Sequence, residues 1–251
     1  MTLPVLVLAG SRDGERDVLA QLGKVSHKAL LPVGGEPMLG RVLRTLAVTP
    51  GLGPVTISIE APDCIRDIAG TAEILKAAAS PSESVAEALD HIGTPCLVTT
   101  ADHALLRSEW ITEFLGKTQD CDLAVGVALR ETVERDVPNT KRTYIRLSDM
   151  SFSGCNLFWM GTPRAEAVVE LWKRLQKDRK RPLKMARTLG FGTLLRALLG
   201  RLDSKALCQR IETLTGARVR LVPLSNGKAA VDVDKPADLI LAEELLAQRS
   251  S

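Results

Sequence analysis

Apolar and polar positions along the chain follow two periods. Residues 3–9 (LPVLVLA) form an unbroken apolar run closed by Gly10. That pattern predicts a strand buried on both faces of a parallel sheet. Residues 96–100 and 123–129 repeat it, and 55–59 follows a turn-forming cluster of Pro50, Gly51, Gly53 and Pro54. Between these runs the period lengthens. Met38, Val42, Leu43 and Leu46 share one face of a helix that Pro37 opens. Val85, Ala86 and Leu89 do the same over 82–92, with Ser82 as the expected N-cap. Residues 110–115 predict one more helix. Strands alternating with helices at this spacing predict an α/β fold: a doubly wound, mainly parallel sheet. Ligands of such sheets bind beyond the carboxyl ends of the strands. The residues after Ala9, after Thr100 and around Asp232 fall there.

From about 131 to 217 the rhythm changes. Residues 143–147 and 152–160 read as strands, and 165–175, 183–202 and 205–214 as helices. We expect a single domain over 1–251 that carries this stretch as an α-rich insertion or lid. Residues 219–222 and 229–233 return to strand, and 236–247 close as a helix.

Composition narrows the class. With 251 residues, 45% hydrophobic and 25% charged, the chain excludes global disorder and collagen-like repeats. No apolar run approaches the roughly 20 residues that cross a bilayer, and the N-terminus has no basic region ahead of an apolar one. Cys64, Cys96, Cys121, Cys155 and Cys208 form no Cys-x-x-Cys pair. The expectation is a cytoplasmic protein with reduced thiols.

The net charge of +3 is unevenly spread. From Lys173 to Arg201 there are ten basic residues and one acid, Asp178, so this stretch is +9 and the remainder −6. A protein that binds nucleic acid would be basic more widely, and no nucleic-acid partner is expected. Phe191, Leu194, Leu195, Leu198 and Leu202 add an apolar helical stripe. Three readings stay open for 179–202: a packed helix with a solvated basic face, a peripheral contact with anionic membrane, and a pocket for an anionic substrate.

The candidate chemistry begins at Gly10. A strand, a glycine turn and a polar loop running to Lys28 offer backbone N–H groups and cations to phosphate oxygens. Arg12 and Lys28 can neutralise such charge. Leu8-Ala9-Gly10, Arg12 and Lys28-Ala29-Leu30-Leu31-Pro32-Val33-Gly34-Gly35-Glu36-Pro37-Met38 resemble the opening of the MobA-like nucleotidyltransferases, which include molybdenum-cofactor guanylyltransferase and methylerythritol-phosphate cytidylyltransferase. Ser11 stands where those proteins usually have a second glycine. Ser80–Leu89 resembles the family's helix beside the nucleotide base, with Ser84 matching a serine of cytidylyltransferases. Thr99-Thr100-Ala101-Asp102 resembles the strand-end aspartate motif that binds Mg²⁺. Ala230–Leu239 resembles the closing Asp-x-Asp-x-Pro-x-Asp-Leu motif.

The resemblance implies a nucleotide-diphospho-sugar-transferase-like (Rossmann-like) fold and a Mg²⁺-dependent transfer of NMP from an NTP to a phosphorylated acceptor, with release of pyrophosphate. CTP is slightly favoured over GTP, and the acceptor is a small molecule or a lipid phosphate. Lys28, Arg12 and Asp102 are the expected catalytic residues. Leu8, Ala9, Gly10, Ser11, Arg12, Lys28, Ser84 and Asp102 are expected to bind the nucleotide. Asp102 is expected to hold Mg²⁺ with Asp232 and Asp234, which alternate to one face of the expected strand. Asp238 is expected at a helix N-terminus. Asn156 is the candidate acceptor contact. Cys155 reads as a packed residue rather than a nucleophile. A phosphate acceptor is already ionised and needs no general base, so His27, His91 and His103 read as structural or solvent-facing. Two other classes stay open: a glycosyltransferase using a nucleotide-sugar, although such enzymes usually carry Asp-x-Asp where this chain has Thr100-Ala101-Asp102, and a non-catalytic nucleotide-binding or membrane-associated protein.

Overall fold

The strands of one sheet run side by side in the order Val219–Pro223, Leu123–Leu129, Ser151–Met160, Cys96–Thr100, Leu3–Leu8, Leu52–Ile59 and Glu73–Lys76, with Ile145–Arg146 added beside Ser151 and Phe152. The computed structural model describes residues 2–11, 16–138, 140–178 and 182–250. Leu3–Leu8 lies parallel to both its neighbours, and the two outermost pairs are parallel as well. Ser151–Met160 runs antiparallel between Cys96–Thr100 and Leu123–Leu129. The fold is the α/β, mainly parallel arrangement that the apolar runs predict.

Helices cover both faces, which is why the central strands read as continuous apolar runs. Val5 and Val7 join Ile57, Leu97 and Ala124 beneath Met38–Val48, Ser108–Leu115 and Pro236–Ser250. Leu6, pointing the other way, joins Val98, Leu123 and Met160 beneath Pro81–Ile92 and Ala165–Asp178. Pro32–Val33 and Glu36–Pro37 form a hairpin. Its two-residue loop, Gly34 and Gly35, has φ of +60° and +78°, a turn in which side chains are strained.

Several sequence expectations change. The strand expected over 229–233 is a 3₁₀ turn, Gly227–Ala230, followed by extended chain outside the sheet. Ala229, Ala230, Val231 and Val233 are all buried, so the apolar alternation reflects burial on several sides, not a pleat. The helix expected over 183–202 is two helices, Pro182–Leu189 and Phe191–Leu198, separated at Gly190 with φ +90°. Ser80, not Ser82, caps Pro81–Ile92: its Oγ accepts from the Glu83 amide, and Pro81 takes the first helical position. Ser82 is buried and donates to Gln176. The 131–217 stretch is also not wholly an insertion, because Ser151–Met160 lies inside the sheet.

Candidate active site

The strand-end loops converge on Lys28. Its residue opens a 3₁₀ turn, Lys28–Leu30, that His27 caps by accepting the Ala29 amide on Nδ1. The Lys28 ammonium donates to Asp102 Oδ2 at 3.3 Å and to Asp234 Oδ1 at 2.6 Å. Asp102 follows the Cys96–Thr100 strand, and Thr100 Oγ1 donates to its other oxygen. The Val233 amide donates to the Asp102 carbonyl at 3.0 Å. That bond ties the 232–234 chain to the strand end although it belongs to no sheet.

Burial works against the charge on each member of this group. It disfavours the Lys28 ammonium, but Asp102 and Asp234 outweigh it and hold the Lys28 pKa above its ordinary value. Burial raises the Asp102 carboxyl; Lys28 opposes this, while Asp232 and Asp234 reinforce it. Burial also raises Asp234, but Lys28 prevails and holds it below the ordinary carboxylate range. One lysine thus serves as counter-ion to two carboxylates that a second cation would stabilise further.

Asp232 lies beside Asp102 in a different network. Arg142 donates to Asp232 Oδ1 and to Asp238 Oδ1, and its side chain is only 10% exposed. Asn156 Nδ2 donates to Asp232 Oδ2 at 3.1 Å and reaches Asp102 Oδ1 at 3.5 Å. Asn156 has φ +50° at a register shift in its strand. Asparagine tolerates that conformation better than most residues, and the irregularity turns its amide into the site. Both oxygens of Asp232 are therefore engaged. Asp238 Oδ2 accepts from the amides of Asp234 and Lys235 at the start of the closing helix, as expected of it.

Mg²⁺ commonly takes one or two carboxylates and completes its shell with water and substrate phosphates. Asp102 and Asp234, joined through Lys28, offer such a pair. Asp232 is held by Arg142 and Asn156 instead of Lys28, and among the described residues no group of three or more His, Cys, Asp and Glu forms a metal cage. The fit is to a cation shared with a phosphorylated ligand.

Beside this cluster lies a cavity of about 280 Å³, walled by Leu8, Gly10, Ser11, Ser58, Glu60, the 77–81 chain and Ser84. Ser84 Oγ accepts from the Ala78 amide at 2.9 Å, so this serine shapes the wall. A smaller pocket between Leu8, Ala9 and Gly10 on one side and Lys28 and Asp102 on the other adjoins it through Leu8 and Gly10. Leu8, Ala9, Gly10, Ser11, Lys28, Ser84 and Asp102 thus line these two adjoining pockets. Arg12 lies outside the described residues.

Two residues escape the sequence reading. Glu60 accepts the Ser11 amide on both oxygens, at 3.0 and 3.1 Å, and takes a further bond of 2.9 Å from the buried His27 ring through Nε2. The Ser11 amide is thus already held by a carboxylate, which corrects its expected role as an open phosphate cradle. Arg142 is the other; its partners lie about ninety residues away in sequence.

The remaining candidates are structural. Burial lowers the His103 pKa to about 4, and its ring stacks on Trp110 with centroids 6.0 Å apart. His91 pairs with Glu73 at the surface. Cys155 is buried and its thiol is pushed well above the ordinary range, so it stays protonated at neutral pH and is no nucleophile. No helix of the described residues is long and apolar enough to cross a membrane.

The sequence matches the MobA-like NTP transferase domain over residues 5–218. A hypothetical transferase from Thermus thermophilus is 32% identical, covering 95% of this chain and 100% of that one, with a TM-score of 0.81. 4-diphosphocytidyl-2C-methyl-D-erythritol synthase from Anaerococcus prevotii is 12% identical over 98% of this chain and 96% of its own, with a TM-score of 0.62. CMP:2-keto-3-deoxy-manno-octonic acid synthetase complexed with CTP is 14% identical over 99% and 100%, also with a TM-score of 0.62. At these last two identities the likeness is one of fold. No curated protein matches the chain in sequence.

Proposed function

The chain belongs to the MobA-like NTP transferase family and is a nucleotidyltransferase, and from that premise we propose that it moves CMP, in preference to GMP, from the NTP to a phosphorylated acceptor. The observation that carries the reading is Lys28 held between Asp102 and Asp234, with Lys28 and Asp102 lining the small pocket beside the cavity. The base occupies the cavity along 77–84. The α-phosphate lies over Lys28 and Asp102. An acceptor phosphate oxygen attacks the α-phosphorus in line, the bond to the bridging oxygen breaks, and pyrophosphate leaves.

Little covalent chemistry falls to the protein, so positioning and charge stabilisation carry the rate. Lys28 neutralises charge on the phosphates. Asp102 and Asp234 would hold Mg²⁺, which when bound supplies electrophilic activation of the phosphate. Asn156 and Arg142 position Asp232 beside Asp102. Support for cytosine is Ser84 in the cavity wall and the CTP held by one structural neighbour. Asp102 stands alone at its strand end, without the Asp-x-Asp of nucleotide-sugar glycosyltransferases. The test is pyrophosphate release with each of the four NTPs against a panel of phosphate monoesters. We expect release with CTP to exceed that with GTP; a larger rate with GTP would overturn the base preference.

The protein also meets anionic membrane surfaces. In Phe191–Leu198 no residue is buried. Phe191 is 74% exposed, Leu195 44% and Leu198 77%, and Leu199, just beyond, 58%, while Lys184, Arg187, Arg196 and Arg201 stand exposed around them. An apolar helical face ringed by cations suits an anionic bilayer surface. Leu202, expected in the same stripe, is buried instead. The protein should float with vesicles containing phosphatidylglycerol, and Leu198→Glu should abolish this. Wild-type protein that stays unbound would refute the contact. The setting of the reaction is then the cytoplasmic face of a membrane.

A further inference from the structure

We infer that the acceptor carries a hydrocarbon group and that this group lies in an apolar cleft between the sheet and the helix Ala165–Asp178. The inference rests on the nucleotidyltransferase reading and adds the class of acceptor to it. The cleft has a volume of about 200 Å³ and every residue lining it is apolar, Leu8, Val98, Val125, Phe158, Val168 and Trp172 among them.

Interiors rarely leave a void larger than a water molecule. A cleft of this size, open to solvent and with Trp172 at 37% exposure, is therefore a feature that needs an occupant. Water is a poor one, since an ordered water needs two or more polar partners. A nucleobase is equally unsuited, because its polar edges would be buried without partners. An apolar cavity of about 150 Å³ accepts a ring the size of benzene, so this one takes a short stretch of alkyl chain or a ring.

Position selects the substrate over an unrelated ligand. Leu8 walls the cleft, the nucleotide cavity and the small pocket above Lys28 and Asp102. A molecule whose phosphate lies at Lys28 passes Leu8 to reach the cleft.

The test is a calorimetric series of alkyl phosphates from ethyl to octyl, used as monomers, against the full chain. Affinity should rise about threefold to fourfold with each added methylene until the cleft is full. Val168→Trp, which fills the cleft from its rim, should remove the chain-length dependence and leave the long phosphates no tighter than ethyl phosphate. CTP binding in the same variant reports that it is folded. Trp172→Ala, which strips one wall, should weaken the gain per methylene. Affinity independent of chain length, or a dependence that survives Val168→Trp, overturns the inference. So does a dependence lost in Leu198→Glu, which would move the apolar contact to the exposed helix. A chain that binds alkyl phosphates in this graded way but no NTP would refute the transferase reading alone.

Discussion

Lys28→Ala is expected to lower nucleotidyl transfer by about 10³-fold, the scale at which a preorganised charge acts on a developing one. Lys28 contacts both Asp102 and Asp234, so the variant also leaves two carboxylates facing each other without a counter-ion. Burial and the neighbouring carboxylates already raise Asp102, and Lys28, followed by Thr100, opposes them. Without the ammonium, Asp102 takes up a proton more readily, and a divalent cation is the natural replacement for the lost counter-ion. The variant's Tm should therefore rise on addition of Mg²⁺ by clearly more than that of the wild type. This readout does not depend on knowing the acceptor. An equal response to Mg²⁺ in both proteins would show that Asp102 and Asp234 are not a cation-binding pair.

Arg142→Ala is expected to give the largest loss of stability of any single change at the site. Arg142 is 10% exposed and its partners Asp232 and Asp238 are 18% and 14% exposed. Removing one partner of a buried pair leaves an uncompensated charge and costs about 3–5 kcal/mol. For a chain of this size that corresponds to a fall in Tm of roughly 10 °C. Arg142→Lys should recover only part of the loss, because an ammonium cannot reach both carboxylates and the Asp232 carbonyl as the guanidinium does. Thermal melts of the two variants check this. A loss below about 1 kcal/mol, the scale of a surface ion pair, would show the network to be incidental.

What the sequence makes legible follows from how local the cause is. The strands Leu3–Leu8, Cys96–Thr100 and Leu123–Leu129 are readable because double burial leaves an unbroken apolar run. Asp102 is readable because it follows such a run, at the edge where ligands bind, and Lys28 because the stretch from Lys28 to Met38 carries the family resemblance. The end of the chain is harder. Ala229, Val231 and Val233 imitate a strand, yet the chain there is held by the Val233 amide on the Asp102 carbonyl and by side chains, Arg142 and Asn156 on Asp232 and Lys28 on Asp234, in place of a sheet ladder. Asp232 and Asp234 consequently diverge, one toward Arg142 and the other toward Lys28, where a pleat would have aligned them. Arg142 itself sits in irregular chain with no periodicity to mark it, and its role exists only once Asp232 and Asp238 are brought to it. Glu60 is hidden for the same reason: it ends the Leu52–Ile59 strand, and its partners Ser11 and His27 come from another segment. Gly190 is missed because nothing in the helical period marks the one left-handed residue that divides an otherwise continuous stripe.

In the proposed function Lys28, Asp102 and Asp234 form the phosphate end of a nucleoside triphosphate site. The measurement that tests it most directly is calorimetric titration of CTP, GTP, ATP and UTP, with and without Mg²⁺, into the wild type and Asp102→Asn. CTP should bind ahead of GTP, tightened by Mg²⁺, with the Mg²⁺ effect lost in Asp102→Asn while its thermal unfolding stays cooperative. Triphosphate binding equally strong without Mg²⁺, or unchanged in Asp102→Asn, would contradict it.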